Sequence, residues 1–265
     1  KAPRDNCEMV LDAAHKPRYA NCIETKDAAL GYDESTELYR LEQDGNWTRL
    51  EHPKGEGRRI SVVGTAADGR IYALASDGKG PKAFGVLDPA DNVFHPLYQD
   101  DAADIHDYLY ASDQSTVVGV VTMAAAPHVA IVDPRQPDAS VYAGLSKAFP
   151  GKMVDLTSAT RDGKKVIVSV YGDNDPGQLY LFDRDTGSVR FLMKRRPELD
   201  PTKMAHVEPF SFKARDGQTL YGYLTIPQGK PNGLPTIIHP HGGPIGVRDD
   251  WGFDWKYFFA TDETP

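Results

Sequence analysis

Two glycines that follow a short apolar run, in Thr236-Ile237-Ile238-His239-Pro240-His241-Gly242-Gly243-Pro244, are the residues of this chain best suited to chemistry. A backbone N–H can approach a reacting carbonyl oxygen closely only where no Cβ intervenes, and Gly242 and Gly243 give two such positions. Pro244 has no N–H and fixes the direction in which the chain leaves. The expected donor to an oxyanion is therefore the amide of Gly243, with Gly242 supporting the loop His241–Pro244. One such donor stabilises a transition state by about 3 kcal/mol. The bland alternative is a plain glycine turn after a strand, and the glycines alone do not separate the two.

The elements that must position this loop can be read on either side of it. Thr236-Ile237-Ile238 is expected to be a buried strand, with Pro240 at the rim of its sheet because proline removes one ladder donor. Downstream, Asp254 is placed to cap a helix carrying Trp255, Phe258 and Phe259 at helical spacing. Upstream, Arg215-Asp216-Gly217-Gln218 joins Val207–Lys213 to Leu220–Pro227, and Asp-Gly between two apolar runs predicts a hairpin. The two prolines of Pro197-Glu198-Leu199-Asp200-Pro201 mark a change of pattern. They place a boundary between residues 1–200 and residues 201–265.

Before that boundary the sequence repeats. Apolar runs ending in an acidic residue recur at Leu38–Glu42, Phe84–Asp88, Val129–Asp133 and Leu179–Asp183, so the acids stand 46, 45 and 50 residues apart. A second marker, Asp68-Gly69, Asp113-Gln114 and Asp162-Gly163, precedes its partner by 20, 20 and 21 residues. Each second marker leads into a β-branched stretch bounded by turn formers: 70–75, 116–121 and 165–170. A period near fifty fits one four-stranded propeller blade, and about four blades are visible. A β-sandwich also uses short strands but does not ask for this super-period. If the ring is incomplete, its outer blades expose backbone edges that invite self-association.

Composition narrows the function. Thirty basic against thirty-eight acidic residues give a net charge of -8, which disfavours binding to a phosphate backbone. Lys194-Arg195-Arg196 before Pro197 reads as a solvated linker. No window nears the roughly 18 uninterrupted apolar residues of a membrane span, so neither nucleic acid nor membrane is an expected partner. Cys7 and Cys22 lack zinc-site spacing; reduced structural thiols lead over a local disulfide, and the compartment, cytoplasmic or periplasmic, stays open. His239 and His241 lack a third ligand at recognisable spacing. Asp173-Asn174-Asp175-Pro176-Gly177 lacks the terminal Glu of a calcium loop and reads as a turn connecting blades. Asn46-Trp47-Thr48 reads as an incidental sequon. No metal or other cofactor is expected.

From Phe210-Ser211-Phe212 through Asp216-Gly217, Tyr221-Gly222-Tyr223-Leu224 and His241-Gly242-Gly243-Pro244 to Trp251-Gly252-Phe253-Asp254, the sequence resembles the prolyl oligopeptidase family of serine peptidases, its acylaminoacyl-peptidase-like branch above all. The resemblance implies a mainly β fold, a partial β-propeller followed by the first strands of an α/β-hydrolase domain. It implies that Gly243 supplies an oxyanion-hole N–H paired with the amide after a serine in a Gly-x-Ser-x-Gly elbow. No such elbow occurs in the chain; the family order places Ser, Asp and His beyond Pro265. The near-match Gly144-Leu145-Ser146-Lys147-Ala148 precedes the loop instead of following it. The resemblance thus implies short peptides as substrates of the whole enzyme and no activity in this chain alone. The rival reading is a small propeller that binds or scaffolds without catalysis.

Overall fold

The structure, a computed structural model, describes residues 1–12, 14–25, 34–50, 59–227, 229, 233, 235–242 and 247–254. It is mainly β and falls into two compact units, Lys1–Thr122 with Val129–Pro134, and Met123–His128 with Arg135–Pro265.

The first unit holds three antiparallel meanders. Sheet 1 runs β1 (Cys7–Leu11), β2 (Pro17–Thr25), β3 (Glu34–Leu41) and β4 (Trp47–Leu50). Sheet 2 runs β5 (Arg59–Thr65), β6 (Ile71–Ser76), β7 (Ala83–Leu87) and β8 (Phe94–Tyr98). Sheet 3 has β9 (Ile105–Tyr110), β10 (Val117–Thr122) and β11 (His128–Ile131). The two acidic markers keep their phase in space: Asp68 and Asp113 shape the turn between the first and second strands, and Glu42, Asp88 and Asp133 follow the third. The turn chemistry is local. Asp68 Oδ1 accepts the Arg70 amide at 3.1 Å, and Asp113 Oδ1 accepts those of Ser115 and Thr116 at 2.9 and 2.8 Å. The next residue takes positive φ in both turns, 87° at Gly69 and 58° at Gln114, the left-handed region that glycine enters without steric cost. In the first turn of sheet 1, Asp12 does the same work without a glycine, accepting Ala14 and Lys16 amides.

Neighbouring sheets in this unit are joined by apolar side chains and by a few buried polar bonds. Val10, Tyr19, Leu38, Ile60, Val62, Ile71 and Leu87 form one core between sheets 1 and 2. Tyr72, Phe84, Val117 and Val120 form another between sheets 2 and 3. Full burial of each such side chain stabilises by about 1.5–3 kcal/mol. Asn21 ties sheet 1 to sheet 2 through both ends of its amide, donating to Val62 O at 2.7 Å and accepting from Val62 N at 3.0 Å. Between sheets 2 and 3, the Tyr72 hydroxyl accepts the Val117 amide at 3.1 Å, and Arg70 pairs with the marker Asp133 at 2.7 Å. Cys7 and Cys22 face each other across β1 and β2, Cα atoms 4.0 Å apart, and form a disulfide. The pairing of β1 with β2 makes them direct cross-strand neighbours, so the leading expectation of reduced thiols gives way to its alternative.

The second unit begins with a departure. Where the repeat leads on from Asp133 into another blade, the chain forms helix α1 (Pro137–Ala148). Pro137 suits a first helical turn, Asp138 in the first turn and Lys147 in the last complement the helix dipole, and Ala139, Tyr142 and Leu145 bury one face. Tyr142 fastens it to the following sheet by accepting the Leu156 amide at 3.3 Å, and Asp138 pairs with Arg184. Sheet 4 then runs β12 (Met153–Ala159), β13 (Lys165–Tyr171), β14 (Gln178–Asp183) and β15 (Ser188–Lys194). Asp162-Gly163 turns β12 into β13, with Gly163 at φ 70°. Asp173–Gly177 joins β13 to β14 inside this sheet, instead of connecting blades as the sequence suggested. After the linker, β16 (Val207–Lys213) and β17 (Thr219–Thr225) make the expected hairpin, Gly217 at φ 86° and the Asp216 carboxylate accepting the Gln218 amide at 3.0 Å. Among the described residues no helix is long and apolar enough to cross a membrane.

Candidate active site

Residues 235–241 have no regular secondary structure, and the expected buried strand at Thr236–Ile238 is not formed: Ile237 and Ile238 are 70% and 88% exposed. A three-residue apolar strand is held by ladders on its flanks and by a covered face, and none of the described strands pairs with it. His239 and His241 are exposed beside them. His241 Nδ1 donates to the Gly242 carbonyl at 2.6 Å. Gly242 is exposed, and a Cβ added to it would meet no atom within 4 Å. Gly243 and Pro244 lie outside the described residues, as do Trp255, Phe258 and Phe259 of the expected helix. Among the described residues no group of three or more His, Cys, Asp or Glu is placed to hold a metal ion.

The chain beyond the glycines is anchored inside the second unit. The Trp251 amide donates to Met123 Sδ at 3.2 Å, and Tyr223 of β17 donates its hydroxyl to Ala125 O at 2.7 Å. Burial pushes the Tyr223 phenol up, with nearby Arg248 opposing. Residues 248–254 form one wall of a cavity of about 710 Å3; Asp155, Tyr171, Asp175, Arg195 and Arg196 at one end of sheet 4 contribute the other. The lining offers charges of both signs beside the aromatic rings of Tyr171, Trp251 and Phe253.

Two stretches read as inert therefore meet at a cavity. Arg195, exposed as the solvated-linker reading expected, is nonetheless tied to sheet 4: its N donates to Gly177 O at 2.9 Å, and its Nη2 donates to Ser169 Oγ at 3.0 Å. The signal was in the sequence: the turn Asp185-Thr186-Gly187 folds β14 onto β15 and brings position 177 opposite 195. Ser146, the centre of the near-match to a nucleophile elbow, lies within α1, whereas an elbow sits on a strand-to-helix turn.

Comparison with known proteins agrees with this architecture. No family model matches the chain. Over 234 residues it is 27% identical to dipeptidyl aminopeptidase BIII of Pseudoxanthomonas mexicana, covering 83% of this chain and 33% of that protein. Its fold is similar to a solved prolyl endopeptidase, with TM-score 0.52, 16% identity, and coverage of 84% of this chain and 31% of the other. Oligopeptidase B from Trypanosoma brucei, solved with covalently bound antipain, gives TM-score 0.51 at 11% identity over 96% of this chain and 36% of its own. The chain spans about a third of the length of the relatives it matches. In sequence and in fold the chain is thus similar to about a third of peptidases of the prolyl oligopeptidase type.

Proposed function

We propose that residues 1–200 form part of a propeller that restricts access to a serine peptidase site, and that residues 201–265 open the hydrolase domain that holds it. In this reading the Gly243 N–H stabilises the tetrahedral intermediate of short-peptide hydrolysis, with Gly242 keeping the loop open. The observation that carries it is order along one chain: four propeller-type sheets, a hairpin, then the glycine loop. Ile237 and Ile238, exposed here, take the place of a central strand once further strands flank them. The nucleophilic Ser and its Asp and His follow Pro265, so the 265-residue chain does not cleave peptides. Edge strand β15, with Phe191 and Met193 about half exposed, is a route for self-association.

The experiment reads the coding sequence past Pro265 and assays the purified 265-residue chain on a chromogenic peptide. A Gly-x-Ser-x-Gly followed by Asp and then His, with no hydrolysis by the chain itself, is the expected result. A stop codon directly after Pro265 contradicts the peptidase reading and favours a propeller that only binds. Hydrolysis by the chain contradicts the placement of its triad.

A further inference from the structure

The prolines of the linker suggest a hinge between sheet 4 and the hairpin, but the linker is stitched down. Leu199, Met204, Ala205 and Val207 are buried, and their anchor is the turn Asp173-Asn174 between β13 and β14. Asp173 Oδ2 accepts the Val207 amide at 3.0 Å and the His206 Nδ1–H at 2.8 Å. Asn174 Nδ2 donates to Pro201 O at 3.1 Å and lies 3.5 Å from His206 Nε2, and Asn174 Oδ1 accepts Lys152 Nζ at 2.7 Å. A carboxylate only accepts and an ammonium only donates, so every bond in this chain has one consistent direction. The proton sits on His206 Nδ1, and His206 Nε2 faces an amide. Asp173 and Asn174 are each 8% exposed. Gly172 leaves the room this needs: a Cβ there would come within 2.7 Å of Lys152 Cδ and Nζ.

An Asp–His pair can orient a catalytic base, but such a base needs a hydroxyl or thiol at its second nitrogen. Here that nitrogen meets Asn174, and the same carboxylate oxygen holds a backbone amide at the first residue of β16. The chemistry is that of a fastening.

We propose that Asp173, Asn174, His206 and Lys152 form a latch that makes sheet 4, the linker 199–206 and the β16–β17 hairpin one rigid body, so that the proline linker is a strap and not a hinge. The latch goes beyond the peptidase reading and stands whether or not the longer protein cleaves peptides. Hydrogen exchange on the 265-residue chain tests it, by following the Val207 amide against those of β13 and β14. In the wild type Val207 should exchange as slowly as the interior of sheet 4. In Asp173→Ala it should exchange at least tenfold faster, with β13 and β14 unchanged. Should that variant lose protection throughout sheet 4, His206→Ala decides, since it removes only a largely exposed ring: faster exchange across 204–207 supports the latch. An unchanged Val207 rate in both variants overturns it, as does a Val207 amide that exchanges as freely as an exposed loop in the wild type.

Discussion

At the scale of single residues, short aspartates do much of the folding work. Burial pushes the Asp113 carboxyl up, but the Thr116 hydroxyl and the Thr116 and Ser115 amides hold it below its ordinary 3.8. The Lys16 amide first, and then Arg18, lower Asp12. A carboxyl with a folded pKa below its unfolded value adds stability that is complete above the unfolded pKa and lost as pH falls through the folded one. The urea midpoint should therefore hold between pH 7 and about 5 and decline below about pH 4, near the unfolded Asp value. Asp113→Asn should lower the midpoint at pH 7, and its deficit against the wild type should shrink as pH falls to 3. A deficit independent of pH contradicts this. Asn21 is the other decisive residue. Removing its amide strands a buried donor and acceptor on Val62, which costs about 1–3 kcal/mol; Asn21→Ala should lose that much in urea titration, while Asn21→Asp, which keeps an acceptor but not the donor, should not recover it.

At the scale of elements, the parts legible in sequence were those written in local chemistry. Asp68-Gly69, Asp162-Gly163 and Asp216-Gly217 predicted turns because a carboxylate that accepts amides ahead of it, followed by a residue free to take positive φ, is a turn whatever surrounds it. Helix α1 was not legible, since Pro134 and Pro137 read as turn formers and its buried face includes a carboxylate, Asp138, among Ala139, Tyr142 and Leu145. The strand at 236–238 was read from apolar character alone, yet a strand exists only with partners. Sheet contacts likewise hid the disulfide, because facing pairs depend on register. That disulfide closes a short loop, and loops of about 15 residues gain about 3 kcal/mol from closure. Reduction, or Cys7→Ser with Cys22→Ser, should lower the urea stability of the first unit by up to about that amount and loosen β1 first. Sheet 2 has a comparable weak point at Gly85, where an added Cβ would run into the His95 carbonyl and the Phe94 ring. Gly85→Ala should destabilise by about 1–3 kcal/mol, the usual cost of overpacking; a neutral effect on the melting temperature contradicts the tight β7–β8 approach.

At the scale of the whole molecule, the period near fifty carried the architecture, because sheets 2, 3 and 4 repeat the same two turns at nearly the same offsets. The site was less legible than the fold. Gly242 and Gly243 could be named as candidates from the absence of a side chain, but the second donor of the proposed oxyanion hole is the amide after an elbow serine, and no Gly-x-Ser-x-Gly occurs in this sequence. The cavity at one end of sheet 4 was missed because its wall joins residues 155–196 to residues 248–254, a proximity that no local pattern encodes. The account rests on the glycine loop belonging to a serine peptidase. The most direct test expresses the coding sequence through to its stop codon and treats that product and the 265-residue chain with a fluorophosphonate, which labels activated serines. The account predicts one labelled serine in the longer product, within a Gly-x-Ser-x-Gly after Pro265, and none in the shorter chain. A longer product that takes no label, or a 265-residue chain that does, would contradict it.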